Sequence, residues 1–124
     1  MTGTVLVVDD SAVVCKLARH MLERHGFAVR EAEHGGAALQ ACQEALPDLV
    51  LLDRNMPVLD GLGFLRALRA AHGPDRPAVV MCTTEAAQQR ILEGLEAGAD
   101  EYVMKPFDEV ILLEKLARVG FAPA

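Results

Sequence analysis

The sequence has few large polar aromatic residues and few cysteines. Tryptophan is absent, Tyr102 is the only tyrosine, and cysteine occurs three times, at Cys15, Cys42 and Cys82. The odd number argues against a disulfide framework, and no spacing typical of a zinc site occurs. Each cysteine lies within an apolar segment. We therefore expect small buried hydrophobic side chains in a reducing cytosol.

Positive charge is also scarce. Twelve Lys and Arg residues stand singly against 18 Asp and Glu residues, which gives a formal charge of −6. Nucleic-acid binding needs a basic stripe, so we expect no nucleic-acid partner. The apolar runs are too short to span a bilayer, and the Met1 end lacks a signal-peptide pattern. We expect no membrane partner and a cytoplasmic protein.

The 124 residues suffice for one domain that buries roughly two-thirds of its unfolded surface, with a core of about 4–119. Short apolar runs alternate with stretches of helical periodicity five times. In the first predicted helix Val14, Leu17, Ala18, Met21 and Leu22 fall on one apolar face, and the third is expected to bury Phe64, Leu65 and Leu68. The predicted strands are Thr4–Val8, 27–32, 49–53, 78–82 and 101–104, and the predicted helices begin at Ser11, Gly35, about Leu62, about Ala86 and Asp108. Five βα units predict an α/β fold with a parallel sheet covered on both faces.

The third strand organises the chain. Four consecutive apolar residues, Leu49 to Leu52, suit a strand that is buried on both faces and delivers Asp53 at its carboxyl end. Open α/β sheets bind ligands at that edge. Met56-Pro57 then prevents simple continuation of the strand, and Asp60-Gly61 is a turn or cap before the next helix.

Polar residues follow four of the strands. They are Asp9 and Asp10 after the first, Asp53 after the third, Thr83 after the fourth and Lys105 after the fifth. In a parallel sheet these ends share one edge, so we expect the side chains to converge. Clustered carboxylates need a cation, and Mg²⁺ suits such oxygen ligands. An aspartate beside Mg²⁺ can act as a nucleophile toward phosphorus, with a lysine and a hydroxyl stabilising the transferring group.

With these residues the chain resembles the receiver domains of two-component response regulators over nearly its whole length. The ordered pattern is Asp9-Asp10, Asp53 with Met56-Pro57 and Asp60-Gly61, Thr83, and Lys105-Pro106. The resemblance implies a flavodoxin-like doubly wound sheet with strand order 2-1-3-4-5 and five helices. It also implies a cis peptide bond between Lys105 and Pro106.

The resemblance assigns roles to single residues. Asp53 is the implied phosphoryl acceptor, and Lys105 pairs with the phosphoryl group. The implied direct Mg²⁺ ligands are Asp10, Asp53 and the backbone carbonyl of Asn55, with Asp9 acting through water. These assignments identify Mg²⁺ as the expected cofactor, with no organic cofactor.

A second group of residues is implied to control the switch and its lifetime. Thr83 moves toward the phosphoryl group as Tyr102 turns inward, although a lone tyrosine also suits a half-exposed packing position. Asn55 and Glu85 are expected to flank the path of the water that attacks the aspartyl phosphate, although both also suit ordinary polar positions at the rim of the site. Thr84 is bulkier than the small residue often found at its position, and Arg54 also occupies a variable position.

The expected function is that of a stand-alone receiver that takes a phosphoryl group from a sensor histidine kinase or a histidine phosphotransfer protein. Output to a downstream protein is expected through the face of helix 4, strand 5 and helix 5, in a monomer or a phosphorylation-dependent dimer. A cut fragment of a longer regulator is the alternative to a complete chain. The last helix has a wide apolar arc, which fits either core packing or a partner contact.

Two other functions compete with this one. An aspartate-nucleophile phosphatase typically carries a second aspartate two residues after the nucleophile, and Asn55 stands there instead. A phosphorylation-independent pseudo-receiver typically lacks the acceptor, the acid pair or the lysine, all of which are present. We therefore expect a signalling domain that catalyses only its own phosphorylation and dephosphorylation rather than an enzyme.

Overall fold

The computed structural model describes residues 3–54, 60–84 and 88–122. Its strands are β1 (Thr4–Val8), β2 (Ala28–Ala32), β3 (Leu49–Asp53), β4 (Ala78–Thr83) and β5 (Glu101–Met104). Its helices are α1 (Ala12–Glu23), α2 (Gly35–Glu44), α3 (Gly61–His72), α4 (Gln88–Ala97) and α5 (Glu109–Arg118). The predicted alternation is confirmed. The predicted start of the fourth helix at Ala86 lies outside the described residues.

The five strands form one parallel sheet in the order β2-β1-β3-β4-β5. This order confirms the doubly wound sheet that the family resemblance implies. The central strand β3 is buried along its whole length, as its unbroken apolar run predicts. Because β1 and β3 are neighbours, the polar residues that follow them lie at the same edge.

Two hydrophobic clusters cover the two faces of the sheet. One packs α1 and α5 against side chains such as Val7 and Leu51, and the other packs α2, α3 and α4 against side chains such as Val8 and Leu52. Alternate residues of each strand therefore face different helices. Phe64, Leu65 and Leu68 of α3 are fully buried, as predicted.

Side chains and turns explain where the helices begin and end. Ser11, Asp60 and Asp108 cap the amino ends of α1, α3 and α5 through hydrogen bonds to backbone N–H groups. His34, which the sequence analysis missed, caps α2 through Nδ1. Gly26 has φ +90°, as expected of a residue that follows a helix.

Some helical positions differ from the expected pattern. Leu17, expected on the buried face of α1, is exposed, because Cys15, Ala18 and Leu22 fill the contact with the sheet. In α5 only Leu112 and Leu116 are buried among its described residues, whereas Val110 and Ile111 are exposed. The apolar arc of α5 is therefore wider than the part of the helix that packs in the core. No helix in the described ranges is long and apolar enough to cross a membrane.

The three cysteines are buried and carry free thiols, as predicted. Burial, with a smaller effect of the Asp9 charge, raises the pKa of the Cys15 thiol to about 11, and burial also raises the pKa of Cys42 and Cys82. A raised thiol pKa lowers the fraction of reactive thiolate near neutral pH. We expect a thiol reagent at pH 8 to modify the native protein at least ~100-fold more slowly than the denatured chain. Rapid modification of any cysteine in the native protein would contradict this expectation.

Candidate functional site

Three carboxylates meet at the carboxyl edge of the sheet. Asp9 and Asp10 follow β1 and Asp53 ends β3, and each offers an oxygen within 4.8 Å of the others. Asp9 and Asp53 are buried, whereas Asp10 is exposed. The predicted convergence of these acids is confirmed by their positions.

Asp9 is held by two different donors. Its Oδ1 accepts a hydrogen bond of 2.9 Å from the Ser11 N–H, and its Oδ2 accepts one of 2.7 Å from Lys105 Nζ. The Asp9 N–H donates to the carbonyl of Ala32 on β2. These contacts fix the Asp9 carboxylate and leave the exposed Asp10 carboxylate open to solvent.

Lys105 supplies the positive charge of the site. Its Nζ lies 3.2 Å from Asp53 Oδ1 as well as 2.7 Å from Asp9 Oδ2. Burial lowers the pKa of the ammonium, but the hydrogen bond to Asp9 and the charge of Asp53 outweigh burial, so the pKa is raised above its ordinary value. Lys105 therefore stays protonated at neutral pH. The peptide bond between Lys105 and Pro106 is cis, as the resemblance implies.

The Asp60-Gly61 turn brings α3 against the backbone at the end of β3. The Gly61 N–H donates to the Arg54 carbonyl at 3.0 Å, and Asp60 caps the helix. A Cβ on residue 61 would lie 2.6 Å from the Asp53 carbonyl oxygen and 2.8 Å from the Arg54 Cα. Only glycine fits at residue 61, so the close packing of α3 on the end of β3 explains the glycine of the Asp60-Gly61 motif.

Thr83 ends β4, the strand beside β3, and Tyr102 lies on β5, one strand further from Asp53. Asp53 pairs with Cys82 in register, so Thr83 is one residue further along β4, and the Thr83 carbonyl accepts a 2.8 Å hydrogen bond from the Lys105 N–H. The Thr83 side chain is fully buried. Tyr102 is also buried, packs in the cluster beneath α3 and α4, and has no hydrogen-bond partner for its hydroxyl among the described residues. The half-exposed alternative for Tyr102 is wrong.

The remaining candidate residues fall into two groups. Asn55 and Glu85 lie outside the described residues, as does Met56-Pro57. Thr84 is exposed at the end of β4. Arg54, which the sequence analysis treated only as a variable position, is buried and contacts α4. Strand alternation was the available signal, since residue 54 follows Leu52 on the face covered by α3 and α4.

The donor set fits a hard divalent cation. Carboxylate oxygens that are grouped within 4.8 Å, one of them exposed, match the ligands and solvent access of Mg²⁺. The single ammonium of Lys105 leaves two of the three negative charges uncompensated within the cluster. These uncompensated charges can hold a divalent cation at this edge of the sheet.

Known proteins are similar to this chain in sequence and in fold. Residues 5–117 match the family model described as response regulator receiver domain. Chemotaxis protein CheY of Bacillus subtilis is 32% identical over 94% of this chain and 96% of its own length. The transcriptional regulatory protein PrrA of Mycobacterium tuberculosis is 44% identical over 93% of this chain but 47% of its own length.

The structural comparison agrees. The solved structure of the chemotaxis response regulator CheY4 of Vibrio cholerae matches with a TM-score of 0.90 and 35% identity, covering 96% of this chain and 99% of that one. The chain spans about half the length of several curated relatives that it matches, PrrA among them. The family match nevertheless covers most of the chain. This chain belongs to the response regulator receiver domain family of phosphorelay signalling.

Proposed function

We propose that Asp53 accepts a phosphoryl group from a phosphohistidine protein and that the modified site changes the affinity of the chain for a partner protein. The observation that carries this proposal is the contact of 3.2 Å between the Asp53 carboxylate and the Lys105 ammonium inside the acidic cluster. The ion pair places a cation where negative charge develops on the transferring oxygens.

The transfer joins an Asp53 carboxylate oxygen to phosphorus and breaks the P–N bond of the donor. The electron pair of that bond stays on the imidazole nitrogen, and a proton on the donor ring keeps the leaving group neutral. Lys105 stays protonated and donates to a phosphoryl oxygen. The buried Thr83 offers a hydroxyl on the adjacent strand. The product is a mixed anhydride, aspartyl phosphate.

Receiver domains bind Mg²⁺ at an acidic pocket, and the residues of this chain fit that ion. Asp10 and Asp53 would hold it directly and Asp9 through water, since both Asp9 oxygens already accept hydrogen bonds. The carbonyl of Asn55 is the third proposed ligand, although it lies outside the described residues. When held by these residues, Mg²⁺ would neutralise charge on the carboxylates and on the phosphoryl oxygens.

An apolar groove beside Lys105 supports docking of the phosphodonor. The groove has a volume of about 200 Å³ and runs between α1 and the loop before α5. Its lining consists of Val14, Leu17, Met21, Lys105, Pro106 and Phe107. An apolar helix face of a histidine kinase or a phosphotransfer protein would cover the exposed Leu17 and bring its phosphohistidine to Asp53.

A second apolar surface supports output to a downstream protein. Leu92 and Leu95 on α4, Met104 at the end of β5 and Ile111 on α5 are exposed large hydrophobic residues. They lie on the elements that follow Thr83 and flank Tyr102. A partner that binds one arrangement of this face better than another would shift the equilibrium of the chain toward the arrangement that it binds.

Lys105→Met should slow phosphorylation of Asp53 by phosphoramidate, a small donor with a P–N bond, by on the order of 100-fold. The reason is the loss of the cation that contacts both Asp9 and Asp53. The initial rate is measured by intact mass spectrometry. Lys115→Met is the matched control, because Lys115 pairs with Glu101 away from the cluster. Equal rates in the wild type and Lys105→Met would remove Lys105 from the transfer step.

The aspartyl phosphate should decay toward the fast end of the family. An amide at Asn55 and a carboxylate at Glu85 can orient the attacking water, whereas Thr84 crowds its approach. We expect Asn55→Leu and Glu85→Leu to slow the decay several-fold and Thr84→Ala to accelerate it. Loss of phosphoprotein is followed after donor removal with Mg²⁺ present. A slow decay that none of the three substitutions changes is the contrary result.

A further inference from the structure

Arg54 connects β3 to helix α4. We call β3 the acceptor strand, because it ends at the proposed acceptor Asp53. Its backbone continues the sheet, since its N–H donates to the Cys82 carbonyl at 3.0 Å and its carbonyl accepts from the Gly61 N–H at 3.0 Å. Its side chain is 4% exposed, which is unusual for a charged residue. The backbone N–H and carbonyl of Arg54 are therefore both held directly after Asp53, and its side chain is buried.

The Arg54 guanidinium is bound to the middle of α4. Nη1 donates to the Arg90 carbonyl at 2.9 Å, and Nη2 donates to Glu93 Oε1 at 2.8 Å. The Glu93 side chain is partly exposed, so solvent reaches one side of the ion pair. A buried guanidinium with directional bonds to one helix fixes the position of that helix more closely than apolar packing alone.

The inner surface of α4 lies very close to the sheet at the same point. A Cβ on Gly94 would lie 3.0 Å from Met81 Sδ, 3.5 Å from Tyr102 Cε2 and 3.8 Å from Arg54 Nη1. Leu92 and Leu95 of the same helix are exposed. Arg54 and Tyr102 therefore both lie within 4 Å of the Gly94 position, beneath the helix that presents the proposed output face.

We propose that Arg54 is a positioning residue that tethers α4 to the acceptor strand and holds the output face in its unphosphorylated arrangement. The tether itself follows from the contacts of the unmodified chain. Its effect on signalling rests on the proposed function. Because the guanidinium binds mid-helix, a displacement of α4 must stretch or break its bonds to Arg90 and Glu93.

Hydrogen exchange of the unphosphorylated protein tests the tether. In Arg54→Met we expect amides of α4, Gln88–Ala97, to exchange at least ~10-fold faster, with amides of β1 and β3 unchanged. Unchanged exchange in α4 overturns the proposal, and so does equal acceleration throughout the chain, which would show a global loss of stability.

Arg30→Met is the matched control. The Arg30 guanidinium also donates to two carbonyls, that of Ala41 in α2 at 2.8 Å and that of Ala45, the residue that caps the carboxyl end of α2, at 2.7 Å. This variant should accelerate exchange in α2 and leave α4 unchanged. An effect of Arg30→Met on α4 as large as that of Arg54→Met would overturn the proposal, because the response would then be general to the loss of an arginine that binds helix carbonyls.

A second substitution tests the ion pair. Glu93→Gln keeps the Arg90 contact and should accelerate exchange in α4 less than Arg54→Met. The double variant should exceed Arg54→Met only by the small effect of the exposed Arg90–Glu93 ion pair of 3.6 Å, since the two changes otherwise act on one interaction. Fully additive effects on α4 would show that the two residues act separately and would overturn the proposed link.

Phosphorylation by phosphoramidate distinguishes tethering from mere stabilisation. If Arg54 holds α4 in the unphosphorylated arrangement, Arg54→Met should be phosphorylated several-fold faster. A larger fraction of the molecules would then have the arrangement that accepts the phosphoryl group. A rate equal to or below that of the wild type would overturn the signalling part of the proposal. If the wild type takes up no phosphoryl group, the proposed function fails, and hydrogen exchange still decides whether Arg54 tethers α4.

Discussion

Asp53→Asn should take up no phosphoryl group from phosphoramidate and Mg²⁺ under conditions that phosphorylate the wild-type chain. The amide has nearly the same shape as the carboxylate but lacks an anionic oxygen nucleophile. Lys105 keeps its contact of 2.7 Å with Asp9 in this variant, so the edge of the sheet should retain its fold. Loss of phosphorylation would then report chemistry rather than unfolding.

Asp75→Asn is the control for the loss of one carboxylate. Asp75 lies in the loop before β4, at the other end of the sheet, and is exposed. Its variant should be phosphorylated at the wild-type rate. Circular dichroism and thermal unfolding of both variants show whether the fold is kept. Phosphorylation that persists in a folded Asp53→Asn protein would place the acceptor elsewhere.

Thr83→Ala should abolish most of the response of the output face to a phosphoryl mimic without preventing its binding. Thr83 is fully buried at the end of β4, and its backbone carbonyl is bonded to Lys105. Removing the hydroxyl deletes the group that we expect to move toward the phosphoryl oxygens. Tyr102 and α4 should then stay in their unphosphorylated arrangement.

Amide chemical shifts with and without beryllofluoride measure this response. In the wild type we expect shifts in Gln88–Ala97 and in Tyr102–Leu113. Thr4→Ala is the matched control and should give the wild-type shifts, because Thr4 carries the same hydroxyl at the start of β1, at the other end of the sheet. Full shifts in Thr83→Ala, or none in the wild type, would refute transmission through Thr83.

The order of elements and the acidic cluster were both predictable from the sequence. Buried parallel strands have a distinctive composition, and their carboxyl ends necessarily share an edge, so Asp9, Asp53 and Lys105 had to approach one another. The strand order came from the family resemblance. No local pattern specifies which strands become neighbours in a parallel sheet, since the crossover helices allow several orders.

The side-chain contacts of Arg54 were not predictable. The sequence shows an arginine after a buried strand, where a solvated strand end is the ordinary expectation. Its burial depends on acceptors from α4, namely the Arg90 carbonyl and Glu93, which lie 36 and 39 residues further along the chain. The expected burial of Leu17 was wrong because Cys15, Ala18 and Leu22 fill the available contact between α1 and the sheet.

The site also separates the competing functions. An enzyme that hydrolyses external phosphoesters needs a general acid beside the nucleophile, and the sequence has Asn55 at that position. A pseudo-receiver needs no intact acceptor, yet Asp9, Asp53 and Lys105 form a connected set of contacts at 2.7 and 3.2 Å. Both observations favour a phosphoryl acceptor that signals through protein contacts.

Intact mass after incubation with phosphoramidate, with Mg²⁺ and again with a chelator, tests the central proposal most directly. With Mg²⁺ we expect the chain to gain the mass of one HPO₃ group, which fragmentation places on Asp53. With the chelator we expect no gain. No gain with Mg²⁺ present, an equal gain in the chelator, or a phosphoryl group on another residue would contradict a Mg²⁺-dependent aspartyl phosphate at Asp53.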